Sequence, residues 1–409
     1  MTRTRRRRPL LGLFTRFVSF SISTAIVGAL VVATPLSAVI RPSPPSSTST
    51  LTPVTVPGPA STAKITWPAG ISAAVVIPSL GVQETWHDHV APIASLTKLM
   101  TAYVTLQRLP LSLGQSGPCV TINRADVLYY DSMVASDESS AAVAVGERLC
   151  ESTLLDGLLV HSAGNFATIL ANMSWGGSKA FVAQMNLQAR ALGLTHTHYA
   201  DTSGVDPRSV STALEQGRLA ALLMQSPLVR RIVDQSSVTL PVAGTLGSYT
   251  PFVGVDQVVG VKSGRTDAAG GCDVMAMRFE LNGQTQLSYA VVLGARGGDL
   301  LGPAGEDALS IEQSILATKT ALHVTRGMVV GTLGWGTKRT DVVVKAPLNL
   351  EWFSALHDAD VRVTIWPEFH AVEPGDVVGW LSVGAGIPQR TPLTVAHPVA
   401  PAAVAQRLR

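Results

Sequence analysis

The feature that constrains this chain most is an uncharged apolar run of 24 residues, Phe17 to Ile40, flanked by Arg16 and Arg41. As a helix it would rise about 36 Å, more than the ~30 Å hydrocarbon core of a bilayer. Arginines accumulate on the cytoplasmic side of a span, and residues 1–16 hold six of them. The sequence therefore predicts a cytoplasmic basic segment over residues 1–16, a membrane span over residues 17–40 and an extracytoplasmic remainder.

The same run is also compatible with a signal peptide, because Leu36-Ser37-Ala38 is a possible small-residue cleavage site. Signal peptides have a shorter apolar core than this, which favours an uncleaved, single-pass anchor in the cell membrane. Cleavage would give a secreted protein. In both cases the folded part of the chain lies outside the cytoplasm.

Charge and composition exclude some classes of protein. Hydrophobic residues make up 46% of the chain and charged residues 14%, so the chain is not of the disordered type. The net charge is +3, and the six N-terminal arginines exceed that surplus. Because the remainder is slightly acidic, no nucleic-acid partner is expected.

The three cysteines suit an oxidising compartment, where disulfides persist. Cys119 and Cys150 lie in strand-like contexts and could form a disulfide, leaving Cys272 unpaired. Three separate buried thiols are the alternative.

Changes in composition and in the pattern of apolar residues along the chain predict three further segments. Residues 41–66 are rich in Pro, Ser and Thr, as in an extended linker. Residues 67–320 mix helical and strand periodicities and predict an α+β domain. Residues 321–409 alternate short β-branched runs with Gly, Pro and Asp, which predicts a small all-β domain. Helices are predicted over Ser95–Leu109, Ser152–Leu159, Phe166–Met173 and Ala180–Leu192, and strands over Ala73–Ile77, Val258–Val261, Cys272–Arg278 and Leu287–Leu293.

The first candidate for chemistry is Ser95-Leu96-Thr97-Lys98 at the start of a predicted helix. Residues three apart share a helix face, so the Lys98 amine can reach the Ser95 hydroxyl and act as its base. The helix N-terminus adds backbone N–H groups where negative charge develops. The spacing alone is weak evidence, since Ser61 and Lys64 repeat it in the linker. A helix-capping serine and a solvated lysine would give the same pattern.

The second candidate is Lys262-Ser263-Gly264, which ends an apolar strand and precedes Arg265. A cation, a hydroxyl and a residue without a side chain suit a substrate carboxylate that approaches the backbone. A turn with a solvated lysine is the alternative reading.

The third candidate is the polar turn His161 to Asn165 between two apolar helices. Ser162 could carry a proton and Asn165 could hold an amide. Both residues are equally suited to cap a helix.

These three elements occur in the order found in penicillin-binding proteins and class A β-lactamases. The chain resembles the low-molecular-mass D-alanyl-D-alanine carboxypeptidases, serine peptidases that trim peptidoglycan stem peptides. The resemblance covers about Trp67 to Leu293, and the β-rich tail is similar in pattern to the accessory domain of that family. Four blocks carry it: VAPIASLTKLMTAYVTLQ, GERLCESTLLDGLLVHSAGNFATILA, ALGLTHTHYADTSGVDPRSVSTA and VVGVKSGRTDAAGGCDVMAM.

The resemblance implies a penicilloyl-serine-transferase fold, shared with β-lactamases and transpeptidases, in which a five-stranded antiparallel sheet and a helical lobe flank the site. It implies that Ser95 attacks the penultimate D-Ala carbonyl while Lys98 takes its proton, and that water then releases the acyl-enzyme. Lys262 and Ser263 would hold the terminal carboxylate, and the N–H groups of Ser95 and Arg265 would form the oxyanion hole. β-Lactams would acylate the same serine, and no metal or organic cofactor is expected.

The middle motif departs from the family pattern Ser-x-Asn. Aligning Asn165 puts Ala163 at the serine position, whereas aligning Ser162 requires one extra residue. Ser263 keeps the hydroxyl of the commoner threonine, and Arg265 adds a cation near the carboxylate site. Without the middle serine, a non-catalytic or slow-turnover protein of the same fold becomes an alternative.

A DD-endopeptidase with the same mechanism is a further alternative. A class A β-lactamase is disfavoured because it needs a Glu-x-x-x-Asn sequence between the second and third motifs. The only glutamate between Asn165 and Lys262 is Glu215, and no asparagine follows it at that spacing.

Overall fold

The structure, a computed structural model, describes residues 47–51, 64–335, 338–356, 361–366, 371–384 and 388–399. The predicted basic segment and membrane span, residues 1–40, lie outside these ranges. Within them, no helix combines the length and the apolar character that crossing a bilayer requires.

Helices and strands alternate irregularly along the described chain. The helices are α1 Thr97–Arg108, α2 Arg124–Ala135, α3 Glu151–Leu159, α4 Gly164–Trp175, α5 Ser178–Ala191, α6 Ala213–Leu223, α7 Pro227–Val233 and α8 Leu301–Leu316. The strands are β1 Ser47–Leu51, β2 Ser72–Ile77, β3 Val82–Trp86, β4 Ala91–Pro92, β5 Cys119–Thr121, β6 Arg148–Cys150, β7 Val210–Ser211, β8 Ser237–Leu240, β9 Gly244–Gly247, β10 Val258–Thr266, β11 Gly270–Leu281, β12 Gln284–Ala295, β13 Lys319–Val324, β14 Val329–Trp335, β15 Lys338–Val344, β16 Leu348–Phe353, β17 Val361–Ile365, β18 Gly379–Val383 and β19 Gln389–Val395.

The central element is a five-stranded antiparallel sheet in the order β10-β11-β12-β2-β3. Both of its faces are buried, which explains why β2 is apolar at nearly every position. Ala74 and Val76 join the core formed with the helical lobe, whereas Val75 and Ile77 face the opposite core with α8. The strand predicted over Ala73–Ile77 is confirmed, as is the α+β class.

Helix α1 lies at the centre of the helical lobe, with Leu99 and Met100 fully buried. The predicted helix began at Ser95, but residues Ala94–Leu96 form a 3₁₀ turn and α1 begins at Thr97. It ends at Arg108, shortly before Pro110 excludes a further turn. Ser95 therefore lies on the turn that leads into the helix.

A second, six-stranded sheet has the order β1-β14-β15-β19-β18-β17. Its hydrophobic cluster begins at Leu322 and contains Val342, Leu381 and Leu393. Strand β1, Ser47–Leu51, comes from the segment predicted as a linker and pairs antiparallel with β14. Pairing is possible there because the five residues contain no proline and each keeps its N–H donor. The division into domains at residues 67–320 and 321–409 stays a prediction.

The predicted disulfide between Cys119 and Cys150 is confirmed. The two residues face each other across the short pair β5–β6. The bond therefore closes a chain segment that contains α2 and the loop that follows it. Cys272 is buried and unpaired.

Candidate active site

The serine and lysine of the first motif are in direct contact. Lys98 Nζ donates hydrogen bonds to Ser95 Oγ at 2.7 Å and to the carbonyl oxygen of Ser203 at 2.8 Å. The Lys98 side chain is 2% exposed. The 3₁₀ turn and the first turn of α1 thus hold the hydroxyl against the amine, as the sequence spacing predicts.

Burial changes the chemistry of Lys98. It lowers the pKa of the ammonium to about 8, although the Asp201 and Glu138 carboxylates partly oppose this. A lysine of this pKa is partly neutral near physiological pH, so it can accept a proton from a hydroxyl. The pair therefore has the elements of an activated serine nucleophile.

Asp201 organises the turn that supplies the second partner of Lys98. Its carboxylate accepts hydrogen bonds from the Ser203 hydroxyl at 3.0 Å, from the backbone N–H groups of Gly204 and Val205 at 2.9 Å each, and from the Ser209 hydroxyl at 2.6 Å. These bonds fix the Ser203 carbonyl in reach of the ammonium. Sequence reasoning did not assign a role to Asp201, although an Asp followed by Thr-Ser-Gly is a recognisable turn signal.

Strand β10 brings the Lys262-Ser263-Gly264 motif beside the nucleophile. Lys262 is fully buried and its Nζ donates to the Ser263 carbonyl at 2.6 Å. The Ser263 hydroxyl donates to the Tyr249 carbonyl at 2.8 Å. Burial, followed by the charge of Lys98, holds the pKa of Lys262 well below its usual range, and the buried Asp273 opposes the shift.

Gly264 lets the nucleophile itself pack closely against the strand. A Cβ placed on it would lie 2.5 Å from the backbone nitrogen of Ser95 and 3.1 Å from its Cβ. The absent side chain thus admits the serine itself to the strand, and not only a ligand. The arrangement puts the N–H of Ser95 directly against β10.

Arg265 follows at the edge of the site. Its side chain is exposed, and its Nη1 donates to the Asp299 carbonyl at 3.0 Å. Together with Ser95, Lys98 and Glu138 it lines a cavity of about 580 Å³. A cavity of this size, with a nucleophile, a base and a cation on its walls, can take a short peptide.

The middle motif differs most from expectation. Both ends of the Asn165 amide bond to the backbone of Ala141, with Nδ2 donating at 2.8 Å and Oδ1 accepting at 3.0 Å. The side chain is fully buried, and a role of Asn165 in holding a substrate amide stays a prediction. Asn165 instead fixes the loop after α2.

Ser162 and Ala163 are distinguished by the structure. Ala163 is an apolar core residue. Ser162 has φ +60°, and its hydroxyl is buried without a hydrogen-bond partner among the described residues. Its neighbour His161 stacks on Tyr249, whose carbonyl accepts the Ser263 hydroxyl. Ser162, and not Ala163, therefore supplies the hydroxyl of the middle motif.

Comparison of the sequence with known protein families identifies the family of the chain. The profile of peptidase family S11, described as D-alanyl-D-alanine carboxypeptidase, matches residues 82–297, more than half of the 409-residue chain. The chain belongs to this family of serine peptidases.

Two relatives show how similar the chain is in sequence to known members of the family. A D-alanyl-D-alanine endopeptidase of Pseudomonas aeruginosa is 33% identical over 204 residues, which cover 46% of this chain and 60% of that protein. The D-alanyl-D-alanine carboxypeptidase DacD of Escherichia coli is 31% identical over 247 residues, which cover 58% of this chain and 61% of that protein. The chain thus spans about three fifths of the length of each.

Solved structures confirm the expected penicilloyl-serine-transferase fold. The Streptomyces K15 DD-transpeptidase aligns with a TM-score of 0.54 at 26% identity, covering 62% of this chain and all of that one. Penicillin binding protein 5 of Haemophilus influenzae aligns with a TM-score of 0.57 at 17% identity, covering 82% of this chain and 99% of that one. The second likeness shows the fold alone.

Proposed function

We propose that the protein is a serine-type D-Ala-D-Ala carboxypeptidase that removes the terminal D-Ala from peptidoglycan stem peptides. The observation that carries the proposal is the 2.7 Å contact between Lys98 Nζ and Ser95 Oγ in a cavity that Arg265 also lines. Membership of the S11 family supports the same reaction.

In this reaction Lys98 accepts the hydroxyl proton while Ser95 Oγ attacks the carbonyl carbon of the penultimate D-Ala. The tetrahedral intermediate collapses, the proton passes to the leaving amine, and the terminal D-Ala departs. Water then hydrolyses the ester on Ser95. The lowered pKa of Lys98, about 8, supports this role because the neutral amine is the form that accepts the proton.

The developing oxyanion would be bound by the backbone N–H groups of Ser95 and Arg265. Close packing of Gly264 against the Ser95 nitrogen supports this assignment. Donors of this kind contribute about 3–4 kcal/mol each in acyl transfer.

The terminal carboxylate of the substrate would lie against Lys262, Ser263 and Arg265. Lys262 is desolvated by burial, and an arriving carboxylate would raise its pKa and favour the ammonium form. The buried hydroxyl of Ser162 would relay protons between the two lysines. β-Lactams, which carry a carboxylate beside a reactive amide, would acylate Ser95 in the same way.

The proposal places the folded part of the chain outside the cytoplasm, on a membrane anchor formed by residues 17–40. The uncharged run between Arg16 and Arg41 supports this topology. The disulfide between Cys119 and Cys150 also supports an oxidising compartment.

Cleavage of cross-links by the same chemistry is the second candidate, because relatives from P. aeruginosa and E. coli are named D-alanyl-D-alanine endopeptidase. A slow-turnover or non-catalytic wall- or penicillin-binding protein is a third. It is motivated by Gly164, which stands two residues after Ser162, where the family pattern Ser-x-Asn has its asparagine.

The test uses the full-length protein in detergent micelles, with a fluorescent penicillin, a stem pentapeptide and a cross-linked peptide dimer. The wild type should be labelled and should release D-Ala, and Ser95→Ala should do neither. Ser61→Ala removes the serine with the same spacing to a lysine and should keep both activities. An unlabelled wild type would refute the nucleophile assignment. Labelling without D-Ala release would favour slow turnover, and preferential cleavage of the dimer would favour the endopeptidase.

A further inference from the structure

The cavity that contains the catalytic pair also contains a carboxylate that the proposed mechanism does not use. Glu138 lies in the loop after α2, and its half-buried side chain lines the same cavity as Ser95 and Lys98. It also lines a neighbouring cavity of about 500 Å³ with Asp201 and Ser203. Glu138 thus stands where the nucleophile's cavity meets a second, adjoining one.

Three backbone-directed contacts hold this loop in place. The N–H of Glu138 donates to the Met133 carbonyl at 2.9 Å, and the N–H of Gly164 donates to the Ser139 carbonyl at 2.8 Å. The Asn165 amide clamps the backbone of the same loop at residue 141 through both of its ends. The first two residues of α4 therefore position the segment that contains Glu138.

Gly164 makes this close approach possible. A Cβ at this position would lie 2.5 Å from the terminal methyl of Met133 and 3.2 Å from the Ser139 carbonyl oxygen. A side chain there would require the Met133 methyl to move and the Ser139 carbonyl to shift by a few tenths of an ångström. Counted from Ser162, Gly164 stands where the Ser-x-Asn pattern has its asparagine. Its lack of a side chain lets the loop that contains Glu138 pack closely against α4.

The two carboxylates near Lys98 differ in what they can still bind. Asp201 is saturated by hydrogen bonds from the turn that it organises. In the part of the chain that the structure describes, the Glu138 side chain receives none, so its oxygens are free for water. Burial raises the pKa of Glu138 and Asp201 adds to the rise, whereas the Lys98 charge opposes it. The other charged groups that line this cavity are Arg265, Asp267 and the exposed Asp137. The exposed Lys179 lines the adjoining cavity.

We propose that Glu138 is a further catalytic residue, the general base that activates the water hydrolysing the acyl-enzyme. The inference rests on the proposed acylation of Ser95. Glu138 takes a proton from water as the water oxygen bonds to the ester carbonyl carbon. The bond from that carbon to Ser95 Oγ then breaks, and the proton passes from Glu138 through Lys98 to Ser95. The products are the carboxylic acid and the free enzyme with Glu138 ionised.

The experiment separates acylation from deacylation in the full-length protein with a fluorescent penicillin. Glu138→Gln keeps the shape and removes the base. Its acylation rate should stay within about threefold of wild type, and its deacylation rate should fall by about 10²-fold or more, the usual contribution of a general base. Glu138→Asp should restore part of the rate. The wild-type deacylation rate should fall as Glu138 is protonated at low pH, and the Glu138→Gln rate should not.

Asp137→Asn is the matched control, because it removes the adjacent negative charge at an exposed residue with φ +55° that asparagine accepts. Its deacylation rate should equal that of wild type. The role of Glu138 would be refuted by an unchanged deacylation rate in Glu138→Gln. It would also be refuted if Asp137→Asn lost as much of its deacylation rate, or if the acylation rate of Glu138→Gln fell equally. Each of these results would leave the proposed function intact. If the wild type is acylated and deacylated by penicillin but releases no D-Ala from the peptide, the proposed function is refuted, and the deacylation rates still test Glu138. A wild type that is not acylated would refute both.

Discussion

Lys98 Nζ lies 2.7 Å from Ser95 Oγ, and burial lowers the pKa of this amine to about 8. Only the neutral amine accepts the serine proton, so its fraction, and with it the acylation rate, should rise with pH. We predict that the second-order rate constant for acylation by penicillin rises about tenfold per pH unit below about pH 8 and levels off above it. Labelling reactions with fluorescent penicillin, quenched at successive times and repeated at several pH values, measure this profile.

Lys98→Arg is the control for this prediction. Arginine keeps the positive charge but does not deprotonate in this range, so the variant should lose the pH dependence along with most of the acylation. A wild-type rate that is independent of pH below 8 would contradict the assignment of Lys98 as the base.

The contact between Gly264 and Ser95 makes a second prediction. Alanine at 264 would put a methyl group 2.5 Å from the Ser95 nitrogen and displace the nucleophile from the strand. Displacements of about 1 Å in a reacting group cost about 10²-fold in rate, so Gly264→Ala should acylate about 100-fold more slowly. Gly247→Ala is the matched control, because no atom lies within 4 Å of its added Cβ. Normal acylation by Gly264→Ala would show that the close approach is unnecessary.

The Asn165 clamp makes a third prediction, on stability. Asn165→Leu would leave the N–H and C=O of Ala141 without partners in a buried environment. Each such group costs about 1–3 kcal/mol, so the free energy of unfolding should fall by about 2–5 kcal/mol in denaturant titrations. Asn172→Leu changes an exposed asparagine of the same helix and should have little effect. An equally small effect at both positions would refute the clamp.

Local spacing explains which parts of the site were predictable from sequence. Ser95 and Lys98 are three residues apart at the start of a predicted helix, so helical geometry brings them together once that helix forms. Lys262 follows a short run of apolar residues that predicts a buried strand. Cys119 and Cys150 were candidates for pairing because both lie in strand-like contexts.

Long-range packing decided the rest. The hydrogen bonds between Asn165 and Ala141 join residues that are 24 positions apart in the chain. The periodicity of apolar residues gives no sign of such a contact. The middle motif could not be aligned from sequence alone because Ser162 and Ala163 are adjacent and only packing tells the buried hydroxyl from the core methyl. Helix α8 was not predicted because Leu-Gly-Pro-Ala-Gly at its start is typical of a turn.

The last prediction concerns Ser162, whose buried hydroxyl has no hydrogen-bond partner among the residues that the structure describes and whose backbone has φ +60°. Ser162→Ala removes the hydroxyl and keeps the strained backbone, whereas Ser162→Gly removes the hydroxyl and relieves the strain. If the hydroxyl relays protons between Lys98 and Lys262, both variants should acylate about 10²-fold more slowly. Relief of a left-handed conformation should make the glycine variant more stable than the alanine variant by about 1 kcal/mol. Full acylation activity in both variants, with the stability difference intact, would show that Ser162 shapes the turn but does not take part in catalysis.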